Sequence, residues 1–397
     1  MPTFTEMHDP YAEYRMPPTF RMRPTYLRVD LDAISHNYSI LQKQATGAQV
    51  MAILKANAYG HGLVPIALKL AEEGVGFYGV AFLEEAVMLR HAGIEAPILI
   101  LGGLVGYQVK HFLDYHLDIT ASSLYKAQQI SDEAKRMNRV ARVHLKIDTG
   151  MNRIGVRAAH GIDFVKEVAR LPNIELVGIF SHFVRAQGPD TTLAEQQLAQ
   201  FVEILDGCKR EGIEFPYVHM SNSSALFNLP DARFNLVRPG LAMFGYPPGA
   251  HIPNTWGLKP AMSLHSEVVY FKGIRKGQGV GYMHTWHAPR DGWLATLPMG
   301  YGDGYPRLMS NRGEVLIGGK RYPIVGNISM DQMMVFLGDD KLGVGEDVTL
   351  LGSQDNETIT AWEIAQKAET IAYEILCGWT PRVPRVYEGK GWKPIRT

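Results

Sequence analysis

Residues 50–62 read Val-Met-Ala-Ile-Leu-Lys-Ala-Asn-Ala-Tyr-Gly-His-Gly, and the prediction of the fold begins from this pattern. Five apolar residues are followed at once by Lys55 and by a loop rich in glycine and polar groups. An apolar run without polar alternation is typical of a strand buried on both faces, as in a parallel sheet. The pattern therefore predicts a buried parallel strand with a lysine at its carboxyl end.

Similar apolar runs recur along the first two thirds of the chain, separated mostly by segments with helical spacing. They cover residues 77–81, 97–101, 117–121, 141–147, 175–181, 217–220 and 235–237. Eight strand–helix units over roughly 200 residues favour a (β/α)8 TIM-type barrel over an open doubly wound sheet. Periodicity leaves open that one or two of these runs are buried helices.

The pattern changes after about residue 260, where short alternating segments are punctuated by glycine and proline. These segments cover residues 264–271, 292–297, 314–317, 333–337 and 347–351. They predict a mostly antiparallel β domain, interrupted by a helix over 360–371 with Thr360 as its N-cap. A further alternating segment at 26–34 predicts a strand that leads into a helix. The predicted organisation is an N-terminal arm (1–24), a barrel (25–259) and a C-terminal β domain (260–397).

Composition excludes several classes of function. Forty Lys and Arg balance forty Asp and Glu, so the chain lacks the basic excess that a nucleic-acid-binding protein needs. The longest uncharged stretch, residues 239–258, is broken by proline and glycine and does not predict a membrane helix. Cys208 and Cys377 are too few for a disulfide framework or a thiolate metal site, so we expect no metal and a cytoplasmic location.

Polar side chains that could do chemistry follow five of the predicted barrel strands. They are Lys55, then Asp148 with Arg153, His182, Asn222 with Ser223, and Arg238 with Gly240. The carboxyl ends of barrel strands form the active-site face, so we expect these residues to meet there. Taken alone, Lys55 is more often an exposed charge at a strand end. A desolvated lysine, however, becomes a nucleophile toward aldehydes, and a phosphate site with an arginine beside it suggests pyridoxal phosphate.

Residues 50–62 resemble the cofactor-attachment segment of the alanine racemases. The resemblance continues through residues 144–155, 181–183, 219–223 and 237–241, and in the second domain through 280–282, 298–304 and 329–332. It covers essentially everything from residue 26 to residue 387. It implies a barrel followed by a β domain, a pyridoxal phosphate cofactor and a homodimer that interconverts L-alanine and D-alanine, supplying D-alanine for peptidoglycan.

The resemblance also implies a role for individual residues. Lys55 would carry the cofactor and act as base on one face of the substrate Cα, and Tyr282 from the partner subunit would be the base on the other face. Arg238 would lie against the pyridine nitrogen, with His219 hydrogen-bonded to it. The remaining cofactor contacts are expected from Tyr59, His182, Asn222, Ser223, Gly240 and Leu241. Substrate contacts are expected from Arg153, Tyr301, Met330 and Asp331.

Lys146 occupies a position that is carbamylated in many members of the family. A carbamate would turn this cation into an anion able to hold Arg153, whereas an ordinary ion pair with Asp148 or a neighbour is the alternative, and the sequence leaves both open. Three positions depart from the family pattern. Residues 184–187 replace small residues and an acid, Asn327 replaces an arginine, and Pro381 stands where some members carry a tyrosine that contacts the phosphate.

Three other functions remain open from the sequence. One is a racemase that prefers serine or accepts several amino acids, since it would share the same site residues. Another is a pyridoxal-phosphate decarboxylase of related architecture, which would need a cysteine acid near the cofactor. The third is a non-catalytic protein that binds the cofactor, although such a protein has no use for a base on the opposite face.

Overall fold

The computed structural model describes residues 23–392 of the chain. The predicted arm over residues 1–24 therefore lies outside the described residues, apart from Arg23 and Pro24. Within the described range the chain forms a ring of parallel strands with helices around it, followed by a large, mostly antiparallel sheet.

The predicted barrel strands are all present. They are Gln49–Val50 with Ala52–Ile53, Tyr78–Val80, Ile98–Ile100, Asp118–Ala121, Ala141–Asp148, Ile174–Phe180, Tyr217–His219 and Leu236–Val237. Seven of them pair in parallel in chain order from residue 52 to residue 219. Leu236–Val237 then pairs in parallel with Gln49–Val50, and a bridge between Asn222 and Arg238 joins it to the preceding strand. These contacts close the (β/α)8 barrel.

Helices follow most of the barrel strands and bury one face against them. The helix Leu31–Ala45 precedes the first barrel strand, and the others are Leu63–Glu72, Leu83–His91, Val109–Asp114, Leu124–Arg136, Gly161–Ala169, Thr192–Arg210 and Ser223–Asn228. Capping side chains mark several starts: Asp30, Ser123 and Asn222 each accept a hydrogen bond from a backbone N–H of the first turn. No helix in residues 23–392 is long and apolar enough to cross a membrane.

The second sheet contains ten strands. They are Tyr26–Asp30, Met262–Glu267, Tyr270–Ile274, Gly292–Leu297, Glu314–Ile317, Lys320–Val325, Met333–Gly338, Asp347–Gln354, Glu357–Ile359 and Arg385–Glu388. All the pairings are antiparallel except that of Tyr26–Asp30 with Arg385–Glu388. A separate two-stranded ribbon, Gly279–Val280 with Trp286–His287, flanks the turn that carries Tyr282.

The strand Tyr26–Asp30 leads into a helix as expected, but it lies in the second sheet. It pairs with Met262–Glu267 on one side and Arg385–Glu388 on the other, although the sequence analysis grouped residues from 25 onward with the barrel. Leu27 and Val29 are fully buried there. An alternating pattern predicts a strand but carries no information about which sheet accepts its edges.

The helix expected over 360–371 is shorter than predicted. It covers Ala361–Lys367, with Thr360 as the N-cap that accepts a hydrogen bond from the backbone N–H of Glu363 (3.0 Å). Glu369 then adopts a left-handed conformation (φ 56°), which ends the helix, and a second helix follows at Ala372–Cys377. This second helix brings Tyr373 to the barrel mouth.

Gly245 lies where the chain leaves the barrel, in a conformation and a close contact that require glycine. It has φ +91°, and a Cβ there would lie 1.8 Å from the carbonyl oxygen of Lys259. Gly257 has a similar conformation (φ +73°) but no heavy atom within 4 Å of such a Cβ. We expect Gly257→Ala to cost about 1 kcal/mol of stability, the usual penalty for a left-handed non-glycine residue.

We expect Gly245→Ala to cost clearly more than Gly257→Ala, because it adds a steric clash to the same conformational penalty. Thermal unfolding of both variants at one protein concentration measures the difference. Equal melting temperatures would contradict the close approach at Gly245.

Candidate active site

Lys55 sits at the start of a left-handed helical turn. Ala56, Asn57, Ala58 and Tyr59 have φ between 52° and 55°, a conformation that costs L-residues roughly 1–2 kcal/mol each. Such strain persists only where surrounding contacts hold it in place, and it occurs most often at functional sites.

Hydrogen bonds from three directions hold this turn. The Glu85 carboxylate accepts from the backbone N–H groups of Ala56 (2.6 Å) and Ala81 (2.8 Å), so it ties the turn to the next strand. The Asn57 side chain accepts from the N–H of Leu63 (2.8 Å). From the second domain, Arg385 Nε donates to the carbonyl of Gly60 (3.1 Å).

The second domain packs directly against the same turn. A Cβ on Gly60 would lie 2.0 Å from the carbonyl oxygen of Leu376, and a Cβ on Gly62 would lie 1.9 Å from the hydroxyl of Tyr387. These glycines therefore let the two domains meet beside Lys55.

The environment of Lys55 favours its neutral, nucleophilic form. Burial lowers the pKa of Lys55, and the positive charges of Arg153 and Arg238 lower it further. Cys377 and Glu85 act in the opposite direction but do not reverse the shift. Lys55 therefore holds its proton less tightly than a free lysine does, which favours reaction with an aldehyde.

Ten of the predicted site residues line one pocket at the carboxyl ends of the barrel strands. They are Lys55, Tyr59, Lys146, Arg153, His182, Asn222, Ser223, Arg238, Gly240 and Leu241. The structure thus brings together residues that are separated by more than half of the barrel sequence.

One end of this pocket is a cluster of hydrogen-bond donors. Ser223 Oγ accepts from the N–H groups of Gly240 (3.0 Å) and Ala242 (3.3 Å), which leaves its O–H free to donate. In residues 23–392 no acceptor contacts the backbone N–H of Ser224 or Leu241. Gly240 leaves room here, because a Cβ would lie 2.2 Å from the hydroxyl of Tyr59. Donors without acceptors at a helix start are suited to a phosphate group.

Arg238 lies at the other end of the pocket, 5% exposed. Its Nη1 donates to His219 Nδ1 (2.8 Å), and its Nη2 donates to the carbonyl of Ser181 (2.8 Å). Nε is the guanidinium nitrogen without an acceptor in the described part of the chain. Burial lowers the pKa of Arg238 to about 9, so it stays protonated at neutral pH.

Lys146 is buried, and the positive charges of Arg238 and Arg153 both act on it. Burial and then the charge of Arg238 lower the pKa of Lys146 to about 7. Its Nζ donates to the carbonyl of Ile147 (2.9 Å) and lies 5.0 Å from the ring centre of Phe180. No carboxylate in residues 23–392 makes an ion pair with it, so the alternative of an ordinary Lys146–Asp148 pair is not formed in this chain.

The four other predicted site residues lie outside this pocket, on an exposed edge of the second domain. Tyr282 is 71% exposed, and its carbonyl accepts from Asn327 Nδ2 (2.9 Å). The N–H groups of Tyr301 and Gly302 donate to the carbonyls of Ser329 and Met330. Asp331 pairs with Arg382 (2.6 Å). These four residues therefore lie on the surface of the second domain. None of them lines the pocket that contains Lys55 of the same chain.

The sequence analysis missed Tyr373, which lines the pocket beside the donor cluster. Its ring centre lies 6.1 Å from that of Tyr59. A hydroxyl was expected to be missing because Pro381 lacks one, but Tyr373 brings a hydroxyl to the pocket from the helix Ala372–Cys377. A tyrosine in a short apolar helix carries no local signal of this role.

The donor set fits pyridoxal phosphate. Burial raises the pKa values of Tyr59 and Tyr373, so both keep their hydroxyl protons and can donate to phosphate oxygens together with Ser223 and the free amides. Lys55 offers an amine for the aldehyde, and Arg238 Nε offers a donor for the ring nitrogen. Burial, then the charge of Arg238, lowers the pKa of His182, so this ring stays neutral in the pocket.

Comparison with known proteins assigns the chain to a family. The family models of the alanine racemase N-terminal and C-terminal domains match residues 29–248 and 261–387. An alanine racemase from Halothermothrix orenii is 39% identical over 93% of this chain and 98% of its own length.

Solved structures agree as well. The alanine racemase from a D-cycloserine-producing Streptomyces lavendulae superposes with a TM-score of 0.89 at 36% identity, covering 93% of this chain and 98% of the other. A histidine racemase from Leuconostoc mesenteroides superposes with a TM-score of 0.85 at 28% identity, covering 93% and 99%. The chain belongs to the alanine racemase family of isomerases.

Proposed function

We propose that this protein interconverts L-alanine and D-alanine with pyridoxal phosphate, using Lys55 and the partner's Tyr282 as bases on opposite faces of the substrate. The observation that carries the proposal is the pocket itself. It joins an amine of lowered pKa, a cluster of hydrogen-bond donors suited to phosphate and a buried arginine, and Tyr282 of the same chain is not among the residues that line it. We further propose that the protein acts in the cytoplasm and supplies D-alanine for peptidoglycan.

Racemisation needs two bases for a geometric reason. A single base returns the proton to the face from which it came, whereas bases on opposite faces allow inversion at Cα. When bound, pyridoxal phosphate supplies the conjugated system that acidifies the Cα–H bond of an attached amino acid. Lys55 Nζ would then exchange a proton with one face, and the Tyr282 hydroxyl would exchange a proton with the other.

Arg238 limits the chemistry to proton exchange. It keeps its protons near neutral pH, so its Nε donates a hydrogen bond without handing a proton to the ring nitrogen. The nitrogen then withdraws fewer electrons than a protonated one, which disfavours transamination. The Arg153 guanidinium, next to Lys55, is available for the substrate carboxylate.

A homodimer would bring the exposed edge of one chain to the pocket of another. Met283 is 89% exposed beside Tyr282, and apolar side chains of the barrel mouth such as Phe82 and Tyr107 are exposed as well. Apolar patches of this kind mark interaction surfaces. We propose a two-fold dimer in which these surfaces meet, since two-fold symmetry would complete both sites at once.

Incubation with purified protein and pyridoxal phosphate tests the reaction and the substrate together. We expect L-alanine to lose optical activity faster than L-serine, L-lysine or L-histidine, the last included because a similar protein is a histidine racemase. Lys55→Ala should abolish both racemisation and the visible absorbance of lysine-bound cofactor, and Lys69→Ala on an outer helix should change neither. Unchanged L-alanine with wild-type protein would refute the proposed reaction, and CO₂ release without racemisation would identify a decarboxylase.

Complementation tests the role of Tyr282. We expect Tyr282→Phe to keep the cofactor but lose most turnover in both directions, whereas Tyr270→Phe, on the same domain and 56% exposed, should stay active. Lys55→Ala and Tyr282→Phe chains can be unfolded, mixed and refolded together. Random pairing makes about half of the dimers hybrids, each with one intact site of two, so the mixture should recover roughly a quarter of wild-type activity. No recovery with well-folded dimers, or a fully active monomer, would refute the cross-subunit site.

Carbamylation of Lys146 is a further part of the proposal. Its amine nitrogen would bond to the carbon of CO₂ and release a proton, leaving a carbamate anion beside Arg153. Only the neutral amine reacts, and the pKa of Lys146 is lowered to about 7. We expect a 13C carbamate signal with labelled bicarbonate at pH 8 that weakens as the pH falls below 7 and is absent in Lys146→Ala. A wild-type spectrum without it at pH 8 would refute the modification.

A further inference from the structure

A chain of hydrogen bonds runs from Arg238 through the interior of the barrel to its opposite end. Arg238 Nη1 donates to His219 Nδ1 (2.8 Å), His219 Nε2 lies 3.0 Å from His144 Nδ1, and His144 Nε2 lies 3.3 Å from Asp118 Oδ2. His144 and His219 are fully buried, and Asp118 is 1% exposed. Because Asp118 begins its strand and His219 ends its own, the chain of contacts crosses the barrel from its amino to its carboxyl face.

The planes of both histidine rings are fixed by packing. His219 stacks on Phe180 (4.7 Å between centres, 6° between planes), and His144 stacks on Tyr217 (6.0 Å, 10°). Gly178 makes space for His144, because a Cβ there would lie 2.2 Å from His144 Nδ1. With the ring planes fixed, the positions of the protons are the remaining variable.

The two ends of the chain determine those positions. Arginine can only donate, so His219 Nδ1 must accept and its proton must be on Nε2. His219 then donates to His144 Nδ1, which places the second proton on His144 Nε2. A carboxylate can only accept, and Asp118 receives this last proton's hydrogen bond. The obligate donor at one end and the obligate acceptor at the other specify the same pair of tautomers.

The charges agree with this arrangement. Burial lowers the pKa values of both histidines, and the charge of Arg238 adds to the effect at each. Burial alone would raise the pKa of Asp118, but hydrogen bonds from His144 and Arg142 lower it. Arg142 Nε lies 2.7 Å from Asp118 Oδ1. The chain therefore holds neutral rings between an ionised carboxylate and a buried cation.

We propose that Asp118 and His144 are positioning residues that orient the Arg238 guanidinium by setting the tautomer of His219. This inference rests on the proposed function, because it assigns the orientation of Arg238 to the reaction in the pocket. A His219 ring protonated on Nδ1 would point N–H against N–H at Arg238 and turn the guanidinium away. The carboxylate that prevents this lies at the far end of the barrel.

Asp118→Asn replaces the hydrogen-bond acceptor that faces His144 with a donor and leaves the side chain nearly the same size. Arg142 is a donor, so it would attract the amide oxygen of the new side chain and turn the amide NH2 toward His144. His144 Nε2 would then have to accept, which moves its proton to Nδ1 and opposes His219 Nε2–H. The substitution should therefore propagate along the chain to Arg238.

Histidine tautomers can be measured in the protein without cofactor. Long-range 15N–1H correlation on histidine-labelled protein distinguishes Nε2–H from Nδ1–H, and His144→Gln and His219→Gln assign the two signals. We expect both wild-type rings to be neutral with the proton on Nε2, and His144 to change tautomer in Asp118→Asn. A wild-type Nδ1–H tautomer at either ring, or no change in Asp118→Asn, would overturn the proposal.

A double variant and a matched control separate orientation from general damage. In Asp118→Asn with Arg142→Gln, the glutamine oxygen can accept from the asparagine amide, which frees the asparagine oxygen for His144 and should restore the wild-type tautomers. Asp114→Asn removes a partly exposed carboxylate that pairs with Lys110 and Arg139, and it should leave both rings unchanged. If the double variant stays shifted, Arg142 does not orient residue 118 and the stated mechanism fails.

Steady-state kinetics of the enzyme with its cofactor bound test the effect on the reaction. We expect Asp118→Asn to lower kcat about 10-fold, as is typical for loss of an outer hydrogen-bond partner, with a smaller change in KM and with recovery in the double variant. Wild-type kcat in a variant with shifted tautomers would overturn the positioning role. If the wild-type protein racemises no amino acid, the proposed function fails, and the tautomer measurement still decides whether Asp118 controls the chain.

Discussion

The buried positive charge of Arg238 is the constraint on which the rest of the site depends. Its contacts are neutral acceptors, namely His219 Nδ1 and the carbonyls of Ser181 and Met220, rather than a carboxylate. An uncompensated cation in a low-dielectric interior acts on every ionisable group near it. Burial is the largest cause of the lowered pKa values of Lys55, Lys146, His182 and His219, and the charge of Arg238 lowers each of them further.

The second constraint is the strained turn that carries Lys55. Four consecutive left-handed residues are maintained by Glu85 from the helix Leu83–His91 and by Arg385 from the second domain. The close approaches at Gly60 and Gly62 show that the second domain, which also carries Tyr282, packs against this turn and supports it. The pocket is thus a product of both domains, since Tyr373 also enters it from the C-terminal part of the chain.

Sequence patterns predicted much of this because local chemistry repeats along the chain. Each apolar run became a parallel strand, and the polar residues after them converged because parallel strands place their carboxyl ends on one face. The same reasoning could not place Tyr26–Asp30, whose partners are more than 200 residues away in the sequence. It also missed Tyr373, because the left-handed Glu369 that redirects the chain has no distinctive sequence.

The sequence by itself determined the order of strands and helices, the type of each domain and the identity of ten residues that line the pocket. Apolar runs, caps and glycine-rich turns are local signals, and a family resemblance labels positions one by one. Only the tertiary structure decided which sheet contains the first strand, which hydroxyl groups lie near Ser223, and which carboxylate ends the chain of hydrogen bonds that begins at Arg238. Asp118 is 120 residues from Arg238 in the chain. A contact across that separation depends on closure of the barrel, which no local pattern encodes.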